Sequence, residues 1–467
     1  MKDLCQYEDN AMEPRESKMK KVLMIAHVFP PFSPVGHSIR VVKFIKYLPA
    51  LGWMPVVLTI NDQKEYEYTH KVGSETLLLE IHPQVKIYRT AAGEPSMKFL
   101  EKEKEFGRRN WLAAVIVKVL SGARRWVFRN LFLPDRNVAW LPFALRRGRQ
   151  IVRSEEIDVI FATCTPHSAT LVGAFLKLLT GKPLILDFRD DWIDAPFYHS
   201  KPTIIRVIER RLESWVVKIA DKVILVTEWS RNAFQERYPT QPSDKFVFIP
   251  NGCDLEEFAV LNSITAAPPN SKFTIVHAGS LNDSRPWTRS PATFFQAVHQ
   301  LLQQQPELAD DLALIFAGDF PEGFRRLADE LGLSGVVKGL GHLPHDEVLR
   351  LIKSADLLLT LGTEGCSTMI PGKIYEYWAV GGPSILLIKC RGAAASLVER
   401  HGLGLTVEPS DVAGIQQAIL TVYRRSKTAT PLRVNTTGIQ AYDRQALTRK
   451  LATVLSELDL GQSQKVK

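Results

Sequence analysis

The sequence contains few cysteines, and no two of them are closely spaced. Five cysteines are scattered over 467 residues without a C-x-x-C motif. Disulfide-rich domains and structural zinc sites need closely spaced cysteines, so the sequence argues against both and predicts a reducing compartment. No run of about 18 uncharged apolar residues occurs, and the polar first residues lack the apolar stretch of a signal peptide. We therefore expect a cytoplasmic protein with no membrane-spanning helix.

Several nucleotide and metal motifs are also absent. Neither G-x-G-x-x-G nor G-x-x-x-x-G-K-[ST] occurs, which removes most of the support for a nicotinamide or flavin enzyme or a P-loop nucleotidase. No D-x-D offers the two-carboxylate clamp of metal-dependent sugar transferases, and neither H-E-x-x-H nor G-x-S-x-G occurs. We predict no cofactor and no metal.

The charge balance is basic, because 59 Lys and Arg residues face 50 Asp and Glu residues and give a net charge of +9. Such a balance favours phosphate-bearing ligands or anionic surfaces. Basic and aromatic residues do not alternate along a strand as they do in proteins that bind single-stranded nucleic acid. We therefore expect no nucleic-acid partner.

Two series of apolar strands that alternate with helices indicate the fold. The first series begins with KKVLMIAHV at 20–28 and ends with KFVFIPN at 245–251, and the second begins with KFTIVHAG at 272–279. Continuously apolar strands alternating with helices are typical of a doubly wound parallel sheet. We expect an α/β protein with two tandem Rossmann-like domains that face each other across a cleft, where such folds bind ligands.

The predicted domain boundaries follow from the same pattern. Residues 259–271 have little apolar bulk and predict a linker between the two series. In the first domain, Ser38 is predicted to cap a helix that starts at Ile39. The predicted division is a flexible leader at 1–19, an N-terminal domain at 20–265, a C-terminal domain at 266–435 and a final helix within 436–467.

One short helix is the best candidate for a ligand contact. In PGKIYEYWAVGGP, Pro371 can open a helix and Gly381 can close it. Lys373 and Glu376 lie three residues apart and therefore share a face, offering a cation and a carboxylate together. Spacing alone also fits an ordinary solvated pair on a surface helix, and both interpretations stay open.

The chain resembles the family 4 glycosyltransferases, which have the GT-B fold. The resemblance rests on KVLMIAHVFPPFSPVGHSIRVVKFIKYL, TCTPHSATLVGAFLK, GKPLILDFRDDW, VFIPNGCDLEEF, HAGSLNDSRPWTRSP and PGKIYEYWAVGGP, and it covers nearly the whole chain from Lys20. GKPLILDFRDDW is similar to a subgroup with a DFRDxW motif. The resemblance implies metal-independent transfer of a sugar from a nucleotide-sugar donor to an acceptor hydroxyl, with retained anomeric configuration. It also implies that the final helix crosses back to the first domain.

The resemblance assigns a donor site to the C-terminal domain. Glu376 would bind the ribose hydroxyls, and Lys373 together with Arg285, or else Arg289, would neutralise the diphosphate. Where many family members carry a Glu that contacts the donor sugar, eight positions before the ribose carboxylate, this chain has Thr368. The other expected donor contacts are the Gly279 and Ser280 turn beside the phosphates, the turn from Gly339 to His342 beside the base, and Gly36 in the first loop.

The acceptor is expected on the N-terminal domain, where charges crowd the end of a buried strand. Asp190 is the candidate for contacting the acceptor hydroxyl, and Arg189 can pair with one of the neighbouring carboxylates, including Asp187. A purely structural ion pair remains an alternative for this cluster. His167, which follows another strand, is expected either to pack at a helix start or to touch the sugar.

A basic stretch from 108 to 153 is the last candidate surface. It holds 11 Lys and Arg residues and one acid, with aromatic side chains interleaved. Such a surface suits anionic lipid head-groups and would bring the enzyme to a lipid-linked sugar acceptor at the inner face of the membrane. The alternative is basic helices whose aromatic residues belong to the core. A sugar-nucleotide epimerase and a non-catalytic nucleotide-sugar-binding protein also remain open as functions.

Overall fold

Two parallel sheets form the framework of the protein. The computed structural model describes residues 19–31, 35–61, 75–93, 132–263, 272–281, 290–362, 365, 367–428, 432 and 434–465. The first sheet has seven strands in the order β3-β2-β1-β4-β5-β6-β7, and the second has six in the order β10-β9-β8-β11-β12-β13. Both orders double back beside the first strand of each series, as the doubly wound prediction requires. The predicted two-domain α/β architecture is confirmed.

The central strands of both sheets are apolar on both faces, as the prediction of buried parallel strands requires, whereas the edge strands β3, β7, β10 and β13 are only partly buried. The strands of the first sheet are β1 Lys20–Ala26, β2 Trp53–Ile60, β3 Lys86–Thr90, β4 Val159–Cys164, β5 Leu184–Phe188, β6 Lys222–Leu225 and β7 Phe246–Phe248. Those of the second sheet are β8 Phe273–Ala278, β9 Leu312–Ala317, β10 Val337–Gly341, β11 Leu357–Leu361, β12 Ser384–Ile388 and β13 Gly404–Val407.

Helices cover both faces of each sheet. In the first half they are α1 Val35–Tyr47, α2 Leu141–Ser154, α3 Ser168–Thr180, α4 Pro196–His199, α5 Thr203–Ile219, α6 Glu228–Arg237 and α7 Leu255–Ser263. In the second half they are α8 Ala292–Gln304, α9 Leu308–Asp311, α10 Glu322–Glu330, α11 His345–Ser354, α12 Lys373–Val380, α13 Ala393–Arg400, α14 Val412–Ser426 and α15 Arg444–Lys465. None of the helices in the described ranges combines the length and the apolar character needed to cross a bilayer.

The final helix α15 packs on the first sheet rather than on the second. Its Leu447, Leu451 and Leu455 are fully buried in one cluster with Val41 and Phe44 of α1. The chain reaches this position by crossing between the two sheets, where it forms backbone hydrogen bonds with the segment that follows β7. The first and last parts of the chain therefore share one hydrophobic core.

The crossing needs a glycine. The N–H of Cys253 donates to the carbonyl of Tyr442, and the N–H of Arg444 donates to the carbonyl of Cys253. A Cβ on Gly252 would lie 1.8 Å from the Tyr442 carbonyl oxygen, so a side chain would push the two segments apart. This close approach fixes the point where the two halves join.

Two local predictions were wrong. Helix α1 begins at Val35, so Ser38 is a buried residue inside it and does not cap it, and Gly36 lies in the helix and not in a loop. The predicted linker begins too early, because α7 continues to Ser263. Apolar residues of α7 explain the difference, since Phe258 is buried against α12. The exact domain boundaries stay predictions.

Candidate active site

Lys373 stands at the start of α12, at the carboxyl end of the second sheet. Its Nζ lies 3.1 Å from Nε2 of His277, while Nδ1 of the same imidazole lies 3.0 Å from the carbonyl oxygen of Leu359. A carbonyl can only accept, so Nδ1 carries the proton and Nε2 accepts from the ammonium group. His277 is almost completely buried at the end of β8 and holds the lysine head-group in a fixed place.

The turn after β8 is shaped around this lysine. Gly279 has a φ of +126°, and a Cβ at this position would lie 2.7 Å from Nζ of Lys373. Gly318 has a φ of +124°, and a Cβ at this position would lie 2.7 Å from the carbonyl carbon of Gly279. Only glycine can adopt such angles without strain and leave the ammonium group beside the backbone. The backbone of Gly279 and the ammonium group of Lys373 therefore lie side by side, and their roles toward a donor phosphate stay predictions.

Glu376 lies one turn further along α12 and is half-buried. Among the described residues, no hydrogen bond or ion pair engages its carboxylate. Burial raises the pKa of Glu376, and Glu257 adds to the rise, while His345 and Lys373 oppose it. A half-buried carboxylate with free acceptor oxygens can bind the hydroxyl groups of a ligand.

Ser280 and His342 meet through a residue that the sequence did not single out. Asp319, which follows β9, accepts from Oγ of Ser280 at 2.9 Å and contacts Nε2 of His342 at 2.8 Å. Hydrogen bonds from both partners lower the pKa of Asp319 in spite of its desolvation. Gly339 lies nearby in β10, where a Cβ would lie 2.8 Å from the ring of Phe320. These groups form the rim of the second sheet beside Gly279.

Asp187 has a structural partner, and that partner is Arg40. The Arg40 guanidinium binds both Asp187 oxygens, Nη2 at 2.9 Å and Nε at 3.2 Å, and the Thr163 hydroxyl donates to the same carboxylate at 2.8 Å. Both charged residues are fully buried, and the guanidinium also donates to the carbonyl groups of Ile249 and Pro250. The carboxylate of Asp187 therefore serves to fasten α1 to β5.

The two aspartates that follow reach further toward the cleft. Asp190 is half-buried and accepts from Oγ1 of Thr165 at 3.0 Å. Asp191 is buried and accepts from Oγ of Ser230 at 2.8 Å, and the Thr368 hydroxyl also donates to it. Burial raises the pKa of Asp191 although both hydroxyls counteract it. Thr368 therefore connects the second half of the chain to DFRDDW in the first.

His167 is buried at the start of α3. Its ring stacks on Trp192 with a centroid distance of 5.0 Å and an interplanar angle of 8°. Burial lowers its pKa to about 3, and Lys201 contributes to the decrease, so the ring is neutral at physiological pH. This packing at a helix start matches one of the two expectations.

The site thus lies where the carboxyl ends of the two sheets face each other. A family model described as Glycosyltransferase Family 4 matches residues 35–257. A second model, described as Glycosyl transferases group 1, matches residues 272–425. The chain belongs to the family 4 glycosyltransferases. Its predicted GT-B fold, with two Rossmann-like domains, is confirmed.

Individual relatives of this family 4 glycosyltransferase are distant. A D-inositol 3-phosphate glycosyltransferase from Kribbella flavida is 24% identical over 251 residues, which is 46% of this chain and 56% of that protein. The chain therefore matches just over half the length of that curated relative. An α,α-trehalose 6-phosphate synthase from Burkholderia multivorans superposes with a TM-score of 0.61 at 13% identity, covering 96% of this chain and 98% of that one. A lipopolysaccharide outer core galactosyltransferase superposes with a TM-score of 0.57 at 12% identity, covering 94% and 99%.

Some predicted site residues of this family 4 protein lie outside the described residues. These are Arg285 and Arg289, which follow β8 in the sequence, and residues 108–131 of the basic stretch. Arg189 is described and lies close to Asp187 and Asp190, with a pKa that burial lowers. Roles at the donor and acceptor sites stay predictions for every residue of the candidate site.

An acidic trio near the crossing resembles a metal site but contains a lysine. Within the described ranges, Glu80, Asp254 and Glu257 approach closely enough to share an ion. The ammonium group of Lys43, however, lies among them and contacts all three, at 2.7 Å from Asp254. A buried ammonium group satisfies the same acceptors that a cation would need.

Proposed function

We propose that this protein transfers a sugar from a nucleotide-sugar donor to an acceptor hydroxyl, with retention of configuration and without a metal ion. The observation that carries the proposal is the geometry of α12. One short helix presents the Lys373 ammonium against the Gly279 backbone and, one turn later, the carboxylate of Glu376, which forms no hydrogen bond with the described residues. A cation and a carboxylate about one helical turn apart match the diphosphate and the ribose of a nucleotide-sugar.

In this proposal, Lys373 stabilises the leaving diphosphate as the bond to the sugar breaks. Negative charge develops on that group, and a cation already fixed by His277 need not reorganise to meet it. Arg285 or Arg289, which follow β8 in the sequence, supplies a second positive charge. Glu376 accepts hydrogen bonds from the ribose, and the rim formed by Ser280, Asp319 and His342 lies beside the nucleotide.

The acceptor would bind against the first sheet. Asp190 is the candidate for contacting the hydroxyl that attacks, because its carboxylate is half-buried and, among the described side chains, accepts a hydrogen bond only from the Thr165 hydroxyl. Asp187 is committed to Arg40 and acts by positioning β5. Arg189 and His167 border the same region. We assign the acceptor to the glycan and lipid-linked sugar class, in the synthesis of surface polysaccharide or glycolipid.

We further propose that the protein contacts an anionic membrane through α2, α3 and α5. Arg146, Arg149 and Arg153 of α2 are exposed, and they line a groove together with Leu179 of α3. Exposed apolar side chains lie on the same helices, namely Phe143, Leu178, Leu179, Ile204, Val207 and Ile208. Arginines beside exposed apolar residues suit an interface of anionic head-groups and acyl chains. Failure to float with anionic vesicles would contradict this part of the proposal.

The donor is tested by measuring unfolding with a panel of UDP-, GDP- and other nucleotide-sugars. A ligand at about 100 times its dissociation constant should add about 2.7 kcal/mol to the free energy of unfolding. The nucleotide-sugar that stabilises the protein is then offered together with glycan and lipid-linked acceptors. If none of the nucleotides stabilises the protein, the proposal is contradicted.

Lys373→Gln should slow transfer with that donor by about 2–4 kcal/mol of transition-state free energy, as should Arg285→Ala. Lys338→Gln is the matched control, because Lys338 is an exposed residue of β10. It should leave the rate of sugar transfer unchanged. Product formed from the donor without any acceptor would instead indicate an epimerase. Donor binding without transfer or hydrolysis in any acceptor mixture would indicate a non-catalytic binding protein.

A further inference from the structure

Arg444 is a buried arginine whose guanidinium forms no hydrogen bond with the described residues. It is the first residue of α15, where the chain crosses between the two sheets, and only 4% of it is exposed. Its Nε and Nη1 are buried, and neither has a hydrogen-bond partner among the described residues. Buried donors are nearly always satisfied in folded proteins, so this side chain calls for a ligand or an explanation.

Other buried cations of the same protein are satisfied. Arg40 binds both oxygens of Asp187 and two backbone carbonyl groups. Lys43 contacts three acids, and Arg237 binds Glu213 and Asp194. An unpaired buried charge costs several kcal/mol of desolvation. Arg444 differs from these three cations, because neither its Nε nor its Nη1 has a hydrogen-bond partner among the described residues.

The surroundings of Arg444 are positive and hydrogen-bonding. Burial is the largest cause that lowers its pKa to about 10, and the nearby charges of Arg40 and Arg189 contribute to the decrease. Tyr375 of α12 also lies within this group, and its fully buried hydroxyl has no partner among the described residues. These donors come from three separate parts of the chain and meet between the sheets, next to Glu376.

We propose that Arg444 and the Tyr375 hydroxyl bind a phosphoryl group of a ligand that enters between the two sheets. The planar guanidinium fork matches two phosphate oxygens, and an anion would offset the repulsion between Arg444 and Arg189. The phosphoryl group would lie beside Glu376. It belongs either to the diphosphate of the donor or to a phosphate on the acceptor, and this assignment rests on the proposed function.

Inorganic pyrophosphate and inorganic phosphate are the probes, measured by calorimetry and by thermal unfolding at constant ionic strength. Both should bind to the wild-type protein and raise its unfolding temperature. Arg444→Gln should weaken pyrophosphate binding by about tenfold or more. Arg444→Lys keeps the charge but loses the planar fork, so its affinity for pyrophosphate should lie between those of the wild type and Arg444→Gln. This variant remains informative if the glutamine variant does not fold.

Arg449→Gln is the matched control, because Arg449 lies on the same helix, is exposed and contacts Gln445. It should bind both probes as the wild type does. Equal affinity of the wild type, Arg444→Gln and Arg444→Lys for pyrophosphate would overturn the proposal. So would a wild-type protein that neither probe stabilises, since Arg444 would then be solvated by water only.

Nucleoside diphosphates distinguish the two sources of the phosphoryl group. If Arg444 binds the donor, UDP or GDP competes with pyrophosphate, and Arg444→Gln loses affinity for the nucleotide as well. If it binds the acceptor, phosphate and the nucleotide bind together, and the variant loses only the phosphate. Phosphate binding that depends on Arg444 in a protein that binds no nucleotide would overturn the proposed function while leaving this anion site in place.

Discussion

The strand end that carries DFRDDW and the helix that carries PGKIYEYW are both rich in charge, but they use it differently. At the strand end, Asp187 binds Arg40, Asp190 accepts from Thr165, and Asp191 accepts from Ser230 and Thr368. On α12, the carboxylate of Glu376 has no such bond among the described residues. Charged groups that are paired within the protein stabilise the fold, whereas charged groups at a cleft without such a partner can bind a ligand.

The largest expected effect comes from breaking the strand-end network. Arg40→Gln leaves Asp187 buried with only the Thr163 hydroxyl, and removing one partner of a buried ion pair costs about 3–5 kcal/mol. Urea unfolding of the wild type and the variant measures the difference. Arg350→Gln breaks an exposed pair with Asp346 and should cost less than about 1 kcal/mol. If both variants lose the same free energy of unfolding, the buried network contributes no more to stability than an exposed ion pair does.

Glu376→Gln tests the other side of the comparison. It should weaken nucleoside diphosphate binding by about 1.5–3 kcal/mol, since hydrogen bonds to a charged group are lost. Glu347→Gln, at an exposed position of α11, is the matched control for calorimetry. Wild-type affinity in Glu376→Gln would remove this carboxylate from the site.

The same variant should also change how stability depends on pH. Burial raises the pKa of Glu376 in the folded protein, so the folded state binds the proton more tightly than the unfolded chain does. As pH rises from the ordinary glutamate pKa through the folded pKa, the wild type should lose stability relative to Glu376→Gln. A difference in the free energy of unfolding that stays constant with pH would contradict this cause.

A smaller effect is expected where the two regions touch. Thr368→Val removes the hydroxyl that donates to Asp191 and should cost about 0.5–1.5 kcal/mol, whereas Thr368→Ser keeps the donor and should cost less. Unfolding in urea compares the two substitutions. If valine and serine give the same stability, the contact between the halves does not depend on this hydrogen bond.

The smallest effect concerns a second link between the halves, from Glu257 of α7 to His345 of α11. The hydrogen bond that His345 donates to the Glu257 carboxylate raises the pKa of His345, so its stabilising contribution is complete below pH 6.5 and is lost as pH rises through the raised value. Because His345 is half-exposed, solvent keeps the contribution small. The stability difference between the wild type and His345→Gln should shrink from pH 6 to pH 9, and growth over that range would contradict the assignment.

Local features of the site could be predicted from the sequence, but contacts between distant residues could not. The helix at Lys373 and the placement of Lys373 and Glu376 on one face follow from spacing, and the turn at Gly279 follows from the family resemblance. Arg40 and Asp187 are 147 residues apart, and no periodicity connects them. Asp319 looks like an ordinary loop acid until the sheet places it between Ser280 and His342, and Arg444 has no motif at all.

The return of α15 to the first sheet has a consequence for how the protein folds. Leu447, Leu451 and Leu455 complete the core that covers α1, yet the ribosome makes them only after the entire second sheet. The apolar face of α1 therefore stays uncovered while more than 150 further residues are synthesised, between Ser263 and Arg444. A nascent chain with such an exposed apolar face is expected to bind chaperones. A circular permutation that joins the two ends of the chain would shorten the time for which this face is exposed.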